Sequence, residues 1–143
     1  NMSKDRFVFS VFARYTREPP AGERIPYSQG DALTPPVLER LASQIAAGQV
    51  TFAQMDNETR EDSLVMDIRE GWGTVYIVKD VEHYYELISP EEPESEEPLN
   101  LTGNGPTPKK HATRDLDLLR EAAAEFWKTG EPWGGCQWEH TIH

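Results

Sequence analysis

The stretch that decides the fold is Ser63-Leu-Val-Met-Asp-Ile-Arg69, Glu70-Gly71-Trp72-Gly73, Thr74-Val-Tyr-Ile-Val78. Leu64, Met66 and Ile68 fall on one face of a strand and Val65 on the other, the period of two that a pleated surface imposes. The two glycines of the connection can supply positive φ, so the chain can reverse within a few residues. Thr74 to Val78 is β-branched and aromatic throughout, which favours a second strand. Upstream, Val50 to Met55 also alternates, with Val50 and Phe52 on one side and Met55 opposite, and Asp56-Asn57-Glu58 is polar turn chemistry. Downstream, Tyr84 to Ile88 makes a fourth member. Four successive strands with short turns predict an antiparallel meander, because parallel pairs need a long crossover between them.

The flanks fit an α+β domain around that meander, with an antiparallel sheet of about five to six strands and two helices packed on it. Arg6 to Tyr15 reads as an inner strand: Phe7, Phe9, Val11, Ala13 and Tyr15 share one face, and Val8 and Phe12 make the other partly apolar. After a Pro- and Gly-rich loop from Thr16 to Leu33, Thr34 can cap a helix that accepts Pro35 and Pro36 in its first turn. Val37, Leu38, Leu41 and Ile45 recur at helical spacing, and Gly48 closes the helix. A second helix is predicted from Arg114 to Thr129, capped by Thr113, with Asp115 in its first turn and Lys128 in its last. Leu116, Leu119, Ala123 and Phe126 form its stripe, widened by Leu118 and Ala122. Gln137 to Ile142 returns as a terminal strand.

Between sheet and second helix, the segment at about 89–112 changes character. Glu91, Glu92, Glu94, Glu96 and Glu97 stand among Pro90, Pro93 and Pro98 without a basic residue, and Asn100 to His111 continues in Gly, Pro and Thr. Such a composition predicts a mobile, extended excursion.

The 143 residues make one domain by size. Asn1 to Asp5 shows no cationic flank ahead of an apolar segment, and no run approaches the roughly 20 apolar residues of a membrane helix. A lone Cys136 fits a reducing compartment, so the cytoplasm is expected. With 25 acidic residues against 14 basic ones the formal charge is −11, which repels nucleic acid and anionic membrane. That balance suits a basic protein partner, although it also simply keeps a protein soluble.

The usual catalytic constellations are missing. Cys136, His140 and His143 form a Cys-x3-His-x2-His cluster, but a fourth ligand is lacking and a strand would splay them, so no metal is predicted. Cys136 with His140 lacks the electropositive setting of a reactive thiol. Glu121 and Glu125, with Arg120 and Lys128, read as a solvated helix face. Gly71-Trp72-Gly73 and Gly103-Asn-Gly105 lack the frame of a phosphate loop. No cofactor and no enzymatic activity are therefore expected. Among the aromatics, Trp127 and Trp138 suit the core, whereas Trp72 and Trp133 sit in turns and, with Tyr84 and Tyr85, can serve either packing or recognition.

The segment Glu121-Ala-Ala-Ala-Glu-Phe126-Trp127-Lys-Thr-Gly130-Glu-Pro132-Trp133, followed by Gln137-Trp138-Glu139, resembles the closing motif of an immunity-protein family. The family is the first-numbered one (Imm-one) of bacterial polymorphic-toxin and contact-dependent inhibition systems. Its pattern is an Ala-rich helix ending in Phe, then Thr-Gly, a charged residue, Pro, a spacer and Trp; Phe126, Thr129, Gly130, Glu131, Pro132 and Trp138 stand at those places. Leu64 to Tyr76 is similar to the family's central hairpin, and the likeness extends over roughly residues 50 to 140. The acidic loop looks particular to this member.

The resemblance implies a small α+β antidote that binds and silences a cognate toxin domain, often a nuclease or nucleic-acid deaminase with a basic cleft. Under that reading the loop Glu91, Glu92, Glu94, Glu96 and Glu97 would steer the toxin, and Trp72 and Trp133 would anchor it, either plugging the active site or binding beside it. Two rivals stand beside it: a scaffolding domain with a constitutive partner, and a small hydrolase using a constellation such as His83, Glu86 and Cys136.

Overall fold

The computed structural model describes residues 6–25, 27–102 and 105–143. Residues 1–5, read above for a leader, and Gly103 and Asn104 of the long loop lie outside the described residues. The elements are β1 (Ser10–Tyr15), β2 (Ser28–Gln29), α1 (Pro35–Ala46), β3 (Val50–Asp56), β4 (Ser63–Arg69), β5 (Trp72–Lys79), β6 (His83–Ile88), β7 (Pro98–Thr102), β8 (Gly105–Pro108), α2 (Leu116–Thr129) and β9 (Gln137–Ile142). Seven of the strands form one antiparallel sheet in the order β2-β1-β3-β4-β5-β6-β9, and β7 and β8 form a separate hairpin. The expected α+β architecture is present. The sheet exceeds the expected five to six strands because the loop after β1 contributes the two-residue β2.

The helices pack on each other and on one face of the sheet. Leu41 and Ile45 of α1 and Leu119, Ala123 and Phe126 of α2 close over Val11, Ala13, Met55, Leu64, Met66, Val75 and Ile77, all essentially without solvent contact. Burial of a side chain such as Phe126 contributes about 1.5–3 kcal/mol before ordering entropy is charged. Gly48 sits at φ +75° just past α1, and Gly130 at φ +76° ends α2 with its amide on the Phe126 carbonyl at 3.0 Å. Both conformations suit glycine at a helix C-terminus.

Several local expectations are corrected. Phe52 does not share a face with Val50, because the register between β1 and β3 shifts at Arg14/Tyr15. That irregularity keeps Val50 in the core and turns Phe52 to the opposite side. The first strand begins at Ser10, not Arg6: the Phe7 and Val8 amides bond the Trp127 carbonyl, and Val8 is buried in the core. In the β4–β5 turn, Glu70 (φ +53°) and Gly71 (φ +85°) take the left-handed conformations, as a two-residue hairpin joining Arg69 to Trp72 requires. Gly73 is not among them.

Thr113 does not cap α2. Its backbone pairs with Gly73 in both directions at 2.8 Å, and the cap is Asp115, whose Oδ1 accepts from the Leu118 amide at 3.3 Å. The acidic segment is not a free excursion either. Ser89 and Lys110 are joined by a 2.7 Å backbone bond, Lys109 and Glu97 by one of 2.9 Å, and the β7–β8 hairpin lies against β4. Its composition suggested mobility because the lysines that hold it, Lys109 and Lys110, follow more than ten residues later in sequence.

Candidate functional site

The face of the sheet away from the helices is built by register. Phe12, Gln54, Val65, Tyr76, Glu86 and Glu139 stand in one row across β1, β3, β4, β5, β6 and β9. A second row holds Arg14, Phe52, Asp67 and Thr74, and a third Ser10, Asp56, Ser63, Val78, Tyr84 and Thr141. None of these residues belongs to the helix-side core. Since side chains alternate between faces, every residue in these rows projects to the same side.

The aromatic groups on this face contact one another. Phe12 and Phe52 meet edge to face at 6.1 Å between centroids, and the Arg14 guanidinium lies 5.3 Å from each ring. Tyr76 and Tyr84 stack at 6.2 Å. These pairs leave each ring half-buried, with the outer surface facing solvent. Burial pushes the Asp67 carboxyl up, with the Arg14 charge opposing the rise, and burial together with the carboxylates of Asp67 and Glu86 pushes the Tyr76 phenol up. A cleft of about 310 Å³ opens between Arg14, Phe52, Asp67 and Leu101. The face thus offers flat aromatic area bordered by carboxylates.

One end of the face is closed by the segment after β8. The Thr74 hydroxyl donates to the His111 carbonyl at 2.5 Å, and His111 Nδ1 donates to the Leu87 carbonyl at 2.8 Å. A carbonyl can only accept, so the Nδ1 position carries the hydrogen. His111 Nε2 then faces Glu139 Oε1 at 3.2 Å, beside Glu86.

The acidic residues singled out from sequence divide into two kinds. Glu91 is built into the fold: its carboxylate accepts from the Ser89 and Thr113 hydroxyls and the Arg114 amide. Glu96 pairs with Lys110 at 2.6 Å and Glu97 with Lys109 at 3.1 Å. Among the described residues, Glu92 and Glu94 form no ion pair, so their charges are the ones left to a partner. Trp72 opens the β5 edge of this face, half-buried, with the Lys109 and Arg114 cations 5.3 and 5.6 Å from its ring. Trp133 is elsewhere. It packs against the helix-side core, and its carbonyl accepts the Trp138 indole N–H at 2.8 Å. Trp127 is buried and Trp138 half-buried against the core, whereas Tyr84 lies on the outer face and Tyr85 stacks on His140 at 4.4 Å on the other.

The other constellations are not assembled. His140 lies 2.9 Å from His83, whereas His143 packs on Tyr84, so Cys136, His140 and His143 do not converge. Among the described residues the trio whose ligand atoms lie within 4.8 Å of one another is Glu86, His111 and Glu139. His83 and Glu86 project from opposite faces of β6, and burial pushes the Cys136 thiol up to about 11, which leaves almost no thiolate at neutral pH.

Sequence reasoning did not single out Phe52, Asp67, Tyr76, His111 or Glu139. The alternation in β5 was a sufficient signal for Tyr76, because Val75 and Ile77 claim the core. No local signal points to His111, whose partners come from strands far away in sequence. Comparison with protein-family models, with curated proteins and with solved structures finds no match. Among the described residues no helix is long and apolar enough to cross a membrane.

Proposed function

We propose that this chain is a bacterial immunity protein that acts in the cytoplasm, where it binds and neutralises a cognate toxin domain, a basic nuclease or nucleic-acid deaminase. The observation that carries this reading is the helix-free face of the sheet, where Phe12, Phe52, Tyr76 and Tyr84 lie among Asp56, Asp67, Glu86 and Glu139. Half-exposed aromatics give an interface its anchoring area, and surrounding carboxylates complement a cleft that evolved to hold phosphates. The net charge of −11 adds long-range attraction toward such a partner. The resemblance of Glu121 to Glu139 to an immunity-family closing motif points the same way.

On this reading the interface differs from the one the sequence first suggested. Glu92 and Glu94 remain available for steering, Glu91, Glu96 and Glu97 hold the hairpin in place, and Trp72 borders the face. Trp133 faces the interior and supports the fold.

The experiment is co-expression with a candidate cognate toxin domain, whose gene this reading places immediately upstream. The chain should restore growth of cells that express the domain, and the purified pair should form a stable complex. Growth arrest that persists with the chain abundantly present and folded would overturn the proposal.

A further inference from the structure

We infer that Glu86, His111 and Glu139 form a binding site for a first-row divalent transition-metal ion, with Zn²⁺ as its representative. The inference rests on the local geometry and not on the toxin-binding reading, although Glu86 and Glu139 belong to the face that reading assigns to the toxin.

Glu86 and Glu139 are direct cross-strand partners in the β6–β9 ladder. Two carboxylates placed opposite each other on one face repel, and a cation bound between them relieves that repulsion. His111 arrives from a third element, the turn Lys109–His111, and is buried. Its Nδ1–H is taken by the Leu87 carbonyl, which leaves Nε2 as the donor atom directed at the carboxylates. Imidazoles that ligate metals commonly have their second nitrogen fixed in this way by a backbone carbonyl.

The distances suit an ion. All three ligand atoms lie within 4.8 Å of one another, with His111 Nε2 and Glu139 Oε1 at 3.2 Å. Ligands held at about 2.0–2.2 Å from one tetrahedral ion stand roughly 3–4 Å apart. The half-exposed Glu86 and the exposed Glu139 need only small side-chain rotations to close that gap. Lys110 is the neighbouring cation: its ammonium pairs with Glu96 at 2.6 Å, and its charge also reaches Glu139 and Glu86, so the ion would share these carboxylates with it. The Tyr76 phenol flanks Glu86 on the other side. One imidazole with two carboxylates favours Zn²⁺ and its first-row neighbours over Mg²⁺ or Ca²⁺, which take oxygen ligands. Three protein ligands leave a coordination position for water. The bound ion would fasten the turn after the acidic hairpin to the β9 edge of the sheet.

The test is calorimetric titration of Zn²⁺ into chelator-treated, metal-free protein, with thermal unfolding followed in parallel. One equivalent should bind and raise the melting temperature, while Mg²⁺ at the same concentration should not. Glu86→Gln and Glu139→Gln should each weaken binding by at least about tenfold, the loss that even outer-shell changes produce. Both positions touch solvent, so folding of these variants, checked by circular dichroism, does not hinge on His111. A His83→Gln/His140→Gln double variant should bind as the parent does. Absence of Zn²⁺ binding would overturn the assignment. So would binding that survives both carboxylate variants, or binding lost with the exposed His83–His140 pair.

Discussion

The carboxylate of Glu91 accepts the Thr113 hydroxyl hydrogen at 2.9 Å, and the same oxygen accepts the Arg114 amide at 2.9 Å. The acidic segment is thereby fastened to the entry of α2. Burial alone would raise the Glu91 carboxyl; the Arg114 amide and Thr113 hydroxyl outweigh it and hold the group below the usual glutamate value of 4.5. A lowered carboxyl contributes stability that is present above the usual value and is lost as pH falls through the lowered one. Glu91→Gln should therefore cost about 0.5–1.5 kcal/mol at neutral pH, reduced by the solvent contact the carboxylate keeps. Urea unfolding of parent and variant from pH 7 downward checks this, with the difference shrinking once Glu91 is protonated. A difference independent of pH would mean that packing, not charge, is at stake.

Gly73 offers a sharper structural test. A Cβ built there would overlap Leu119 Cδ1 and approach Ile68 Cγ1 to 3.2 Å, while its backbone pairs with Thr113. Leu119 has no solvent contact, so it has little room to withdraw. Gly73→Ala should cost about 1–3 kcal/mol by overpacking. At Gly71 the same substitution meets open space but a left-handed backbone, and should cost about 1 kcal/mol. Denaturant midpoints of the two variants distinguish steric from conformational demand.

At the other end of β5, Lys79 Nζ reaches Asp62 at 3.0 Å, the Gly130 carbonyl at 2.8 Å and Glu131 at 3.3 Å. It ties the sheet to the end of α2. Burial alone would lower this ammonium; its bond to Asp62 and the Asp62 and Glu131 charges outweigh that and raise it above the usual 10.5. Its contribution is then complete through neutral pH and lost only as pH rises through the raised value. Lys79→Met should cost about 1–3 kcal/mol, since among the described residues Asp62 is left buried with only the Asp80 amide on its carboxylate. Chemical denaturation at pH 7 measures the loss, and repetition at a pH above the raised value should find the two proteins closer together.

What was legible in the sequence follows the range of the underlying force. The β4–β5 hairpin and the stripe of α2 were readable because period-two and helical spacing report burial within a single element. A local signal also decided Gly48, which closes α1. The roles of Thr113 and Asp115 were exchanged because both residue types cap helices, and the choice depended on Gly73 occupying the Thr113 backbone from forty residues away. Strict alternation puts Val50 and Phe52 on one face opposite Met55; Phe52 does lie opposite Met55, but one irregularity in pairing returns Val50 to the core side. The acidic loop misled for a similar reason: composition counts charges within a window, whereas Lys109 and Lys110 return through a hairpin. Glu86, His111 and Glu139 come together only through the β6–β9 register and a short turn.

The charge of the acidic segment ahead of β7 also gives the toxin-binding proposal a kinetic signature. Glu96 and Glu97 are held by Lys110 and Lys109, so reversing them would disturb the hairpin as well as the field. Glu92→Lys combined with Glu94→Lys changes the field by four charges without breaking an ion pair among the described residues. Association with the cognate toxin domain, followed by surface plasmon resonance at low ionic strength, should slow by about tenfold, and the effect should fade as salt shortens the screening length. Tyr76→Ala should act in the opposite arm, speeding dissociation while leaving association nearly unchanged, because an aromatic anchor acts at short range and a charge at long range. An association rate indifferent to the double reversal at low salt would remove the acidic segment from the mechanism. An unchanged dissociation rate in Tyr76→Ala would remove the outer face, and the two results together would move the interface to the helical side of the molecule.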